Sequence, residues 1–237
     1  MKMAENIAII LARGGSQGIP GKNIATFCGK PLVAWTIEHS LDAQHIDSVW
    51  VSSDDTNILN VAKEYGAEVI PRPSHISGDT ASSESGWLHA LKYIQETGRS
   101  VKLIVGPQCT SPVRSSVDFD GAIQHFIEQN LDSLFSASLV TDFNIWKPSA
   151  DGQLSSYTYD YKNRGRRQEK PDQFLENGSF WIFTPDCIQS HNNRLGGKIG
   201  IWEMELWKSF QIDEPSDLTF CEALMNSFLL NEGCSTK

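Results

Sequence analysis

The stretch IAIILARGGSQGIPGKN, Ile7 to Asn23, decides how this chain is read. Ile7–Leu11 is an unbroken apolar run, which suits a strand covered on both faces. It passes straight into a loop in which Gly14, Gly15, Gly18 and Gly21 stand among two cations, Arg13 and Lys22. Glycines at such a turn let backbone N–H groups close on phosphate oxygens where a Cβ would collide. Two familiar phosphate loops are excluded by the letters. The frame nearest a P-loop, Ser16 to Asn23, has Ser where Gly is needed and Asn where Ser or Thr is needed, and there is no G-x-G-x-x-G. The plainer alternative is a strand-to-helix turn with a solvated Arg and Lys. Four glycines with two cations favour the phosphate reading.

Working outward, short strands are expected at Val49–Ser52, Val69–Ile70 and Lys102–Val105. Helices are expected at Leu32–Leu41, Ile58–Tyr65, Ser85–Glu96 and Val117–Gln129, from apolar stripes at helical spacing. This alternation predicts right-handed crossovers and a Rossmann-like, mostly parallel sheet flanked by helices, with ligands at the carboxyl ends of the strands. The alternation breaks near Val140. From there to about Gln173 the chain is rich in aromatics and charge, and YTYDY (Tyr157–Tyr161) alternates with period two, which predicts a protruding antiparallel lobe. Gly178–Thr184 and Ile199–Met204 read as further core strands, and Pro215–Leu230 as a closing helix. The expectation is one α/β domain over residues 1–237 with a lobe inserted at about 140–173.

Composition narrows the classes. The 237 residues carry 20 Lys plus Arg against 29 Asp plus Glu, a net charge of −9, which argues against a nucleic-acid or membrane partner, since both reward a basic face. Ile7–Ala12 is too short for a signal-peptide core or a membrane span. The five cysteines, Cys28, Cys109, Cys187, Cys221 and Cys234, are odd in number and lack any C-x-x-C, so a disulfide framework and a zinc knuckle are not expected and a cytoplasmic setting is.

The glycine loop closely resembles the signature of the acylneuraminate cytidylyltransferases, the family of the CMP-sialic acid synthetases. CMP-Kdo synthetases are more distant relatives. The resemblance continues in order through RPSHISGDTASS (Arg72–Ser83), PQCTSPVR (Pro107–Arg114), RRQEKPDQFLENGSF (Arg166–Phe180) and QIDEPSDL (Gln211–Leu218), so it covers nearly the whole chain. It implies transfer of CMP from CTP to the anomeric hydroxyl of a nine-carbon 2-keto-3-deoxy acidic sugar, with release of pyrophosphate. It also implies a homodimer built through the lobe, where exposed Trp146, Tyr157 and Tyr159 are consistent with an interface.

The resemblance assigns residues as well. Arg13 and Lys22 are implied to hold the CTP phosphates and carry the catalysis, since phosphoryl-type displacement rests on positioning and charge neutralisation. Gly14, Gly15 and Ser16 are implied to wrap the nucleotide; Asn23, Arg72 and Ser83 hold its nucleoside. Gln108, Arg167 and Asn177 are implied to orient the sugar: an amide suits hydroxyls and an N-acyl group, and a guanidinium can pair a carboxylate in bidentate fashion. Asp213 is the candidate ligand for Mg2+, a hard ion that accepts carboxylate, phosphate and water.

Each assignment has a plainer counterpart. Asp79–Ser83 would serve as the hydroxyl-rich start of a helix, and Asp213 as the N-cap of the last one. Arg164, Arg166 and Arg167 would form a solvated basic run. Asp118-Phe119-Asp120 is a literal D-x-D, but at a helix start it reads as first-turn charge favoured by the dipole. Three departures from the family stand out. Gln17 replaces a frequent Lys, and Leu175 replaces an Arg found in some members. Gln211 stands where bacterial-type sialic acid enzymes have the first Asp of a D-I-D pair, so the metal rests on one carboxylate with phosphates and water, or on another carboxylate. Rival readings are activation of Kdo, legionaminic or pseudaminic acid, and a CTP-binding module without turnover. A glycosyltransferase would want its D-x-D at a strand end.

Overall fold

The computed structural model describes residues 4–16, 18–141, 143–166, 168 and 171–230. The first half alternates as expected: β1 (Glu5–Leu11), a two-residue ribbon of β2 (Thr26–Phe27) and β3 (Lys30–Pro31), α1 (Leu32–Leu41), β4 (Ser48–Ser53), α2 (Thr56–Glu64), β5 (Glu68–Pro71), α3 (Ser83–Glu96), β6 (Val101–Pro107) and α4 (Ser116–Glu128). There follow β7 (Ser133–Val140), β8 (Trp146–Pro148), β9 (Leu154–Ser156), β10 (Gln173–Phe183), α5 (Pro185–His191), β11 (Ile199–Glu203) and α6 (Pro215–Met225).

Local chemistry sets the helix starts. The Asp55 carboxylate accepts from the Asn57 N–H and opens α2. The Ser82 hydroxyl accepts from the Ser85 N–H, so α3 begins ahead of its first apolar residue. Asp118 reaches back to the Ser115 N–H at α4. It is also buried against Lys208, at 2.8 Å. Asp120 accepts from the Gln44 and His45 N–H groups. The D-x-D pair is therefore structural.

Among the described residues the main sheet has seven strands in the order β11-β7-β10-β6-β1-β4-β5. All pairings are parallel except those of β10, which runs against both β6 and β7. The unbroken apolar run of β1 follows from cover on both faces. Ala8 and Ile10 pack toward α1, α2 and α4, while Ile7 and Ile9 pack toward α3 and α5. From β1 the chain winds outward through β4 and β5, then returns across to β6. A crevice opens at that reversal, at the carboxyl ends of β1 and β6. A third cluster, with Ile19, Leu32, Trp35, Ile212 and Met225, binds the glycine loop to the segment before α6.

The lobe departs in one respect. An antiparallel hairpin is present, but it pairs Trp146–Pro148 with Leu154–Ser156, and Tyr157–Tyr161 lies beyond it in bends and turns. There one backbone bond remains, from the Tyr157 N–H to the Ile145 carbonyl at 2.8 Å, and the Thr158 hydroxyl donates to the Phe143 carbonyl and accepts from the Ile145 N–H. The closing helix also ends early, at Met225, and passes into a wider π turn over Asn226–Leu230.

Candidate active site

A cleft of about 650 Å³ lies at the carboxyl ends of β1 and β6. Arg13, Ser16, Lys22 and Asn23 reach it from the glycine loop, Arg72 and Ser83 from the approach to α3, Gln108 from the end of β6 and Asp213 from the segment before α6. The structure thus brings together most of the residues singled out in the sequence.

The glycine loop is built by close approach. A Cβ on Gly18 would run into the Asp213 backbone carbonyl, so only glycine lets the loop lie against this segment. Gly21, at φ 63°, turns the chain into the short 3-10 turn Lys22–Ile24. That turn aims Lys22, whose ammonium donates to the Ile212 carbonyl at 2.9 Å and to the Asp213 carboxylate at 3.0 Å. The Asn23 amide donates to the Arg13 carbonyl at 2.9 Å and staples the loop to itself. Arg13 pairs with Asp79 at 2.7 Å.

Arg72 is buried along the wall, with its Nε donating to the Ser77 hydroxyl at 3.1 Å. Burial lowers its affinity for a proton, Asp54 raises it, and neighbouring Arg13 lowers it again. Gly86 makes the room, since a Cβ there would press on Leu11 and on the Arg72 guanidinium. Ser83 stands in the first turn of α3, and the capping falls to Ser82.

Asp213 does not cap α6. The Asp217 carboxylate accepts from the backbone N–H groups of both Asp213 and Glu214, at 2.9 and 2.8 Å, which leaves the Asp213 side chain turned to Lys22 and the cleft. No group of three or more His, Cys, Asp or Glu side chains placed to hold a metal occurs among the described residues. One carboxylate at the edge of this cleft still fits a hard cation that keeps waters and takes phosphate oxygens.

Asn177, Gly14 and Gly15 stand apart from the residues that line the cleft. Asn177, expected at the sugar, is 2% exposed. Its Oδ1 accepts from the Ser136 hydroxyl at 2.6 Å and the Ser179 N–H at 3.0 Å, which stabilises the bulge between Glu176 and Trp181 in β10. Gly14 and Gly15 do not line the cleft, and the Gly14 N–H is already bonded to Asp54 at 3.1 Å. Gln17 and Arg167 lie outside the described residues.

Sequence reasoning missed three features. Arg194 lines the cleft with its guanidinium in the notch between Trp87 and Trp181, 4.7 and 4.5 Å from the ring centres, and its Nε donates to Glu84 at 2.8 Å. Asp79 lines the cleft as the partner of Arg13, a role that its place in a hydroxyl-rich helix start does not announce. Arg114 is fully buried behind the cleft, where it donates to the carbonyls of Gln108, Ser111 and Ser179 and to the Thr36 hydroxyl. Burial brings its pKa down to about 10, against the opposing pull of Cys109 and Asp118. No periodicity marks such residues, because the contacts that place them include partners remote in sequence: Glu84 for Arg194, Arg13 for Asp79, Thr36 and Ser179 for Arg114.

Residues 7–233 match the cytidylyltransferase family. The chain belongs to that family. Among relatives of this cytidylyltransferase-family chain, it is 36% identical to the N-acylneuraminate cytidylyltransferase of Oncorhynchus mykiss, over 91% of the chain and 49% of the relative. It is 32% identical to the pseudaminic acid cytidylyltransferase of Campylobacter jejuni, over 93% of the chain and 96% of the relative. The chain therefore spans about half the length of the fish relatives it matches. Its fold is similar to that of a CMP:2-keto-3-deoxy-manno-octonic acid synthetase complexed with CTP, with a TM-score of 0.71 at 17% identity over 94% of this chain and 99% of the other. The expected α/β fold and family are both borne out.

Proposed function

We propose that this chain transfers CMP from CTP to the anomeric hydroxyl of a nine-carbon 2-keto-3-deoxy acidic sugar and releases pyrophosphate. The observation that carries the reading is the cleft itself. A glycine loop with Arg13 and Lys22 faces Asp213 across one end, and Gln108 opens from the end of β6. Relatives named as N-acylneuraminate and pseudaminic acid cytidylyltransferases support the chemistry.

In this reading the anomeric oxygen attacks the α-phosphorus, the bond to the β-phosphate oxygen breaks, and pyrophosphate departs. Arg13 and Lys22 neutralise the charge that builds during this displacement. Gly14, Gly15 and Ser16 shape the loop, and Asn23, Arg72 and Ser83 hold the nucleoside. Gln108 and Arg167 orient the sugar, while Asn177 acts from behind by shaping β10. Mg2+, bound through Asp213 and phosphate oxygens, would add charge neutralisation. The protein is further proposed to work in the cytoplasm as a homodimer, with the lobe as interface. Its exposed Phe143, Ile145, Trp146, Leu154 and Tyr157 support that reading.

A second substrate, pseudaminic acid, is favoured by the Campylobacter jejuni relative, which matches along 96% of its length. Pyrophosphate release from CTP and Mg2+, measured across a panel of 2-keto acids, tests both. Tight CTP binding without release for any acid would instead identify a binding module.

A further inference from the structure

Gln211 takes the place of the first Asp of a D-I-D pair, and its side chain is engaged within the protein. Its Nε2 donates to the Asn177 backbone carbonyl at 3.0 Å. A backbone carbonyl only accepts, so this bond settles which end of the amide is nitrogen. The Gln211 Oε1 must then point the other way, where it accepts from Gln108 Nε2 at 3.3 Å. The same Gln108 nitrogen donates to the Thr110 hydroxyl at 2.8 Å. With its NH2 held on that side, Gln108 presents Oε1. That oxygen lies 3.5 Å from where a Gly178 Cβ would stand, and no hydrogen bond to it is found among the described residues, on a residue that lines the cleft. Gly178, at φ 66°, makes the arrangement possible, because a Cβ there would collide with the Gln211 amide.

We propose that Gln211 is a positioning residue for the acidic-sugar site and not a metal ligand. It fixes the Gln108 amide with its nitrogen engaged by Gln211 and Thr110, so that what this residue has left to offer at the cleft is an acceptor, which takes a donor of the sugar, a hydroxyl or an amide N–H. An acceptor-only point repels a carboxylate, so the acid group of the substrate lies elsewhere in the cleft. The inference rests on the proposed function for the identity of the ligand, but not for the orientation of the amides.

The test compares the parent with Gln211→Met, which keeps the bulk and removes both bonds. Loss of one oriented hydrogen bond should raise KM for the acid by roughly tenfold. The kcat, the KM for CTP and the Mg2+ dependence should stay within about twofold of the parent. Against deoxy analogues of the acid, the parent should discriminate strongly at one hydroxyl or amide, and the variant should not. An altered Mg2+ requirement or KM for CTP with an unchanged KM for the acid would overturn the inference, as would unchanged constants throughout. NMR of the Gln108 side-chain amide protons, which should move in Gln211→Met, decides the orientation without turnover. A parent that releases no pyrophosphate with any acid therefore defeats the proposed function alone.

Discussion

Lys22 and Asp213, 191 residues apart in sequence, meet at 3.0 Å, and the same ammonium is held at 2.9 Å by the Ile212 carbonyl. The lysine side chain is 12% exposed and the aspartate 72%, so the cation is seated and its partner stands in solvent. An ion pair with one exposed member contributes little to stability. Its position is the informative part. The arrangement keeps a cation and a carboxylate side by side beside the glycine loop, where, in the function proposed above, the nucleotide phosphates take over the lysine.

Lys22→Ala is expected to lower turnover by about 10²–10³, the range for a preorganised charge contact worth roughly 2.7–4 kcal/mol. Because Lys22 is seated on a backbone carbonyl and is not a free loop cation, the variant should also lose about 1 kcal/mol of stability or less. Melting temperature, CTP affinity and pyrophosphate release on both proteins check this. Turnover at the parental rate would remove the loop from catalysis.

Asp213→Asn separates the metal role from the helix-capping role. Since Asp217 closes the start of α6, the variant should keep parental stability within about 0.5 kcal/mol. Turnover should fall by about 10² if Asp213 holds Mg2+ against the phosphates. Near-parental rates at saturating Mg2+ would exclude that role.

Much of this was legible in the sequence, for local reasons. Leu32–Leu41 matches α1 residue for residue, and the double-faced apolar run marks β1. β7 was missed because SLFSASLV dilutes its apolar pattern with serines, which the fold satisfies by hydroxyl bonds: Ser136 with Asn177, Ser138 with Ser209. α5 has seven residues, too few to show a period. Arg194 and the Gln108–Gln211 contact depend on chain segments brought together only by the sheet, and no spacing announces them.

Stability should depend on pH through His39. Its imidazole sits at the end of α1, with Nδ1 buried and unpartnered among the described residues. Burial first, then the charges of Arg114 and Lys30, bring its pKa from 6.5 down to about 3. The unfolded chain therefore takes up a proton before the folded one does. Stability present above about pH 6.5 is lost as pH falls toward 3, with a slope approaching about 1.4 kcal/mol per pH unit for this one proton. In His39→Leu the denaturation midpoint should fall less steeply between pH 6 and 4. An identical slope in both proteins would assign the acid sensitivity to other groups.

The lobe offers the last test. Leu154 is 69% exposed and Tyr157 64%, and Phe143, Ile145 and Trp146 join them on the same excursion. Large apolar side chains left open together mark a surface that meets another protein. Some packing within the lobe exists, as Trp146 donates to the Tyr159 hydroxyl at 3.1 Å, but it leaves these groups exposed. A second copy of the chain is the partner proposed above. Replacing Thr141 to Tyr161 by a short Gly/Ser linker spares the paired stretches of β7 and β10 and every cleft residue named here. Sedimentation should then show a soluble monomer that binds CTP as the parent does but no longer binds the acidic sugar. A deletion variant that stays dimeric would place the interface on another surface, and one that is monomeric yet turns over normally would show that the lobe does not complete the sugar site.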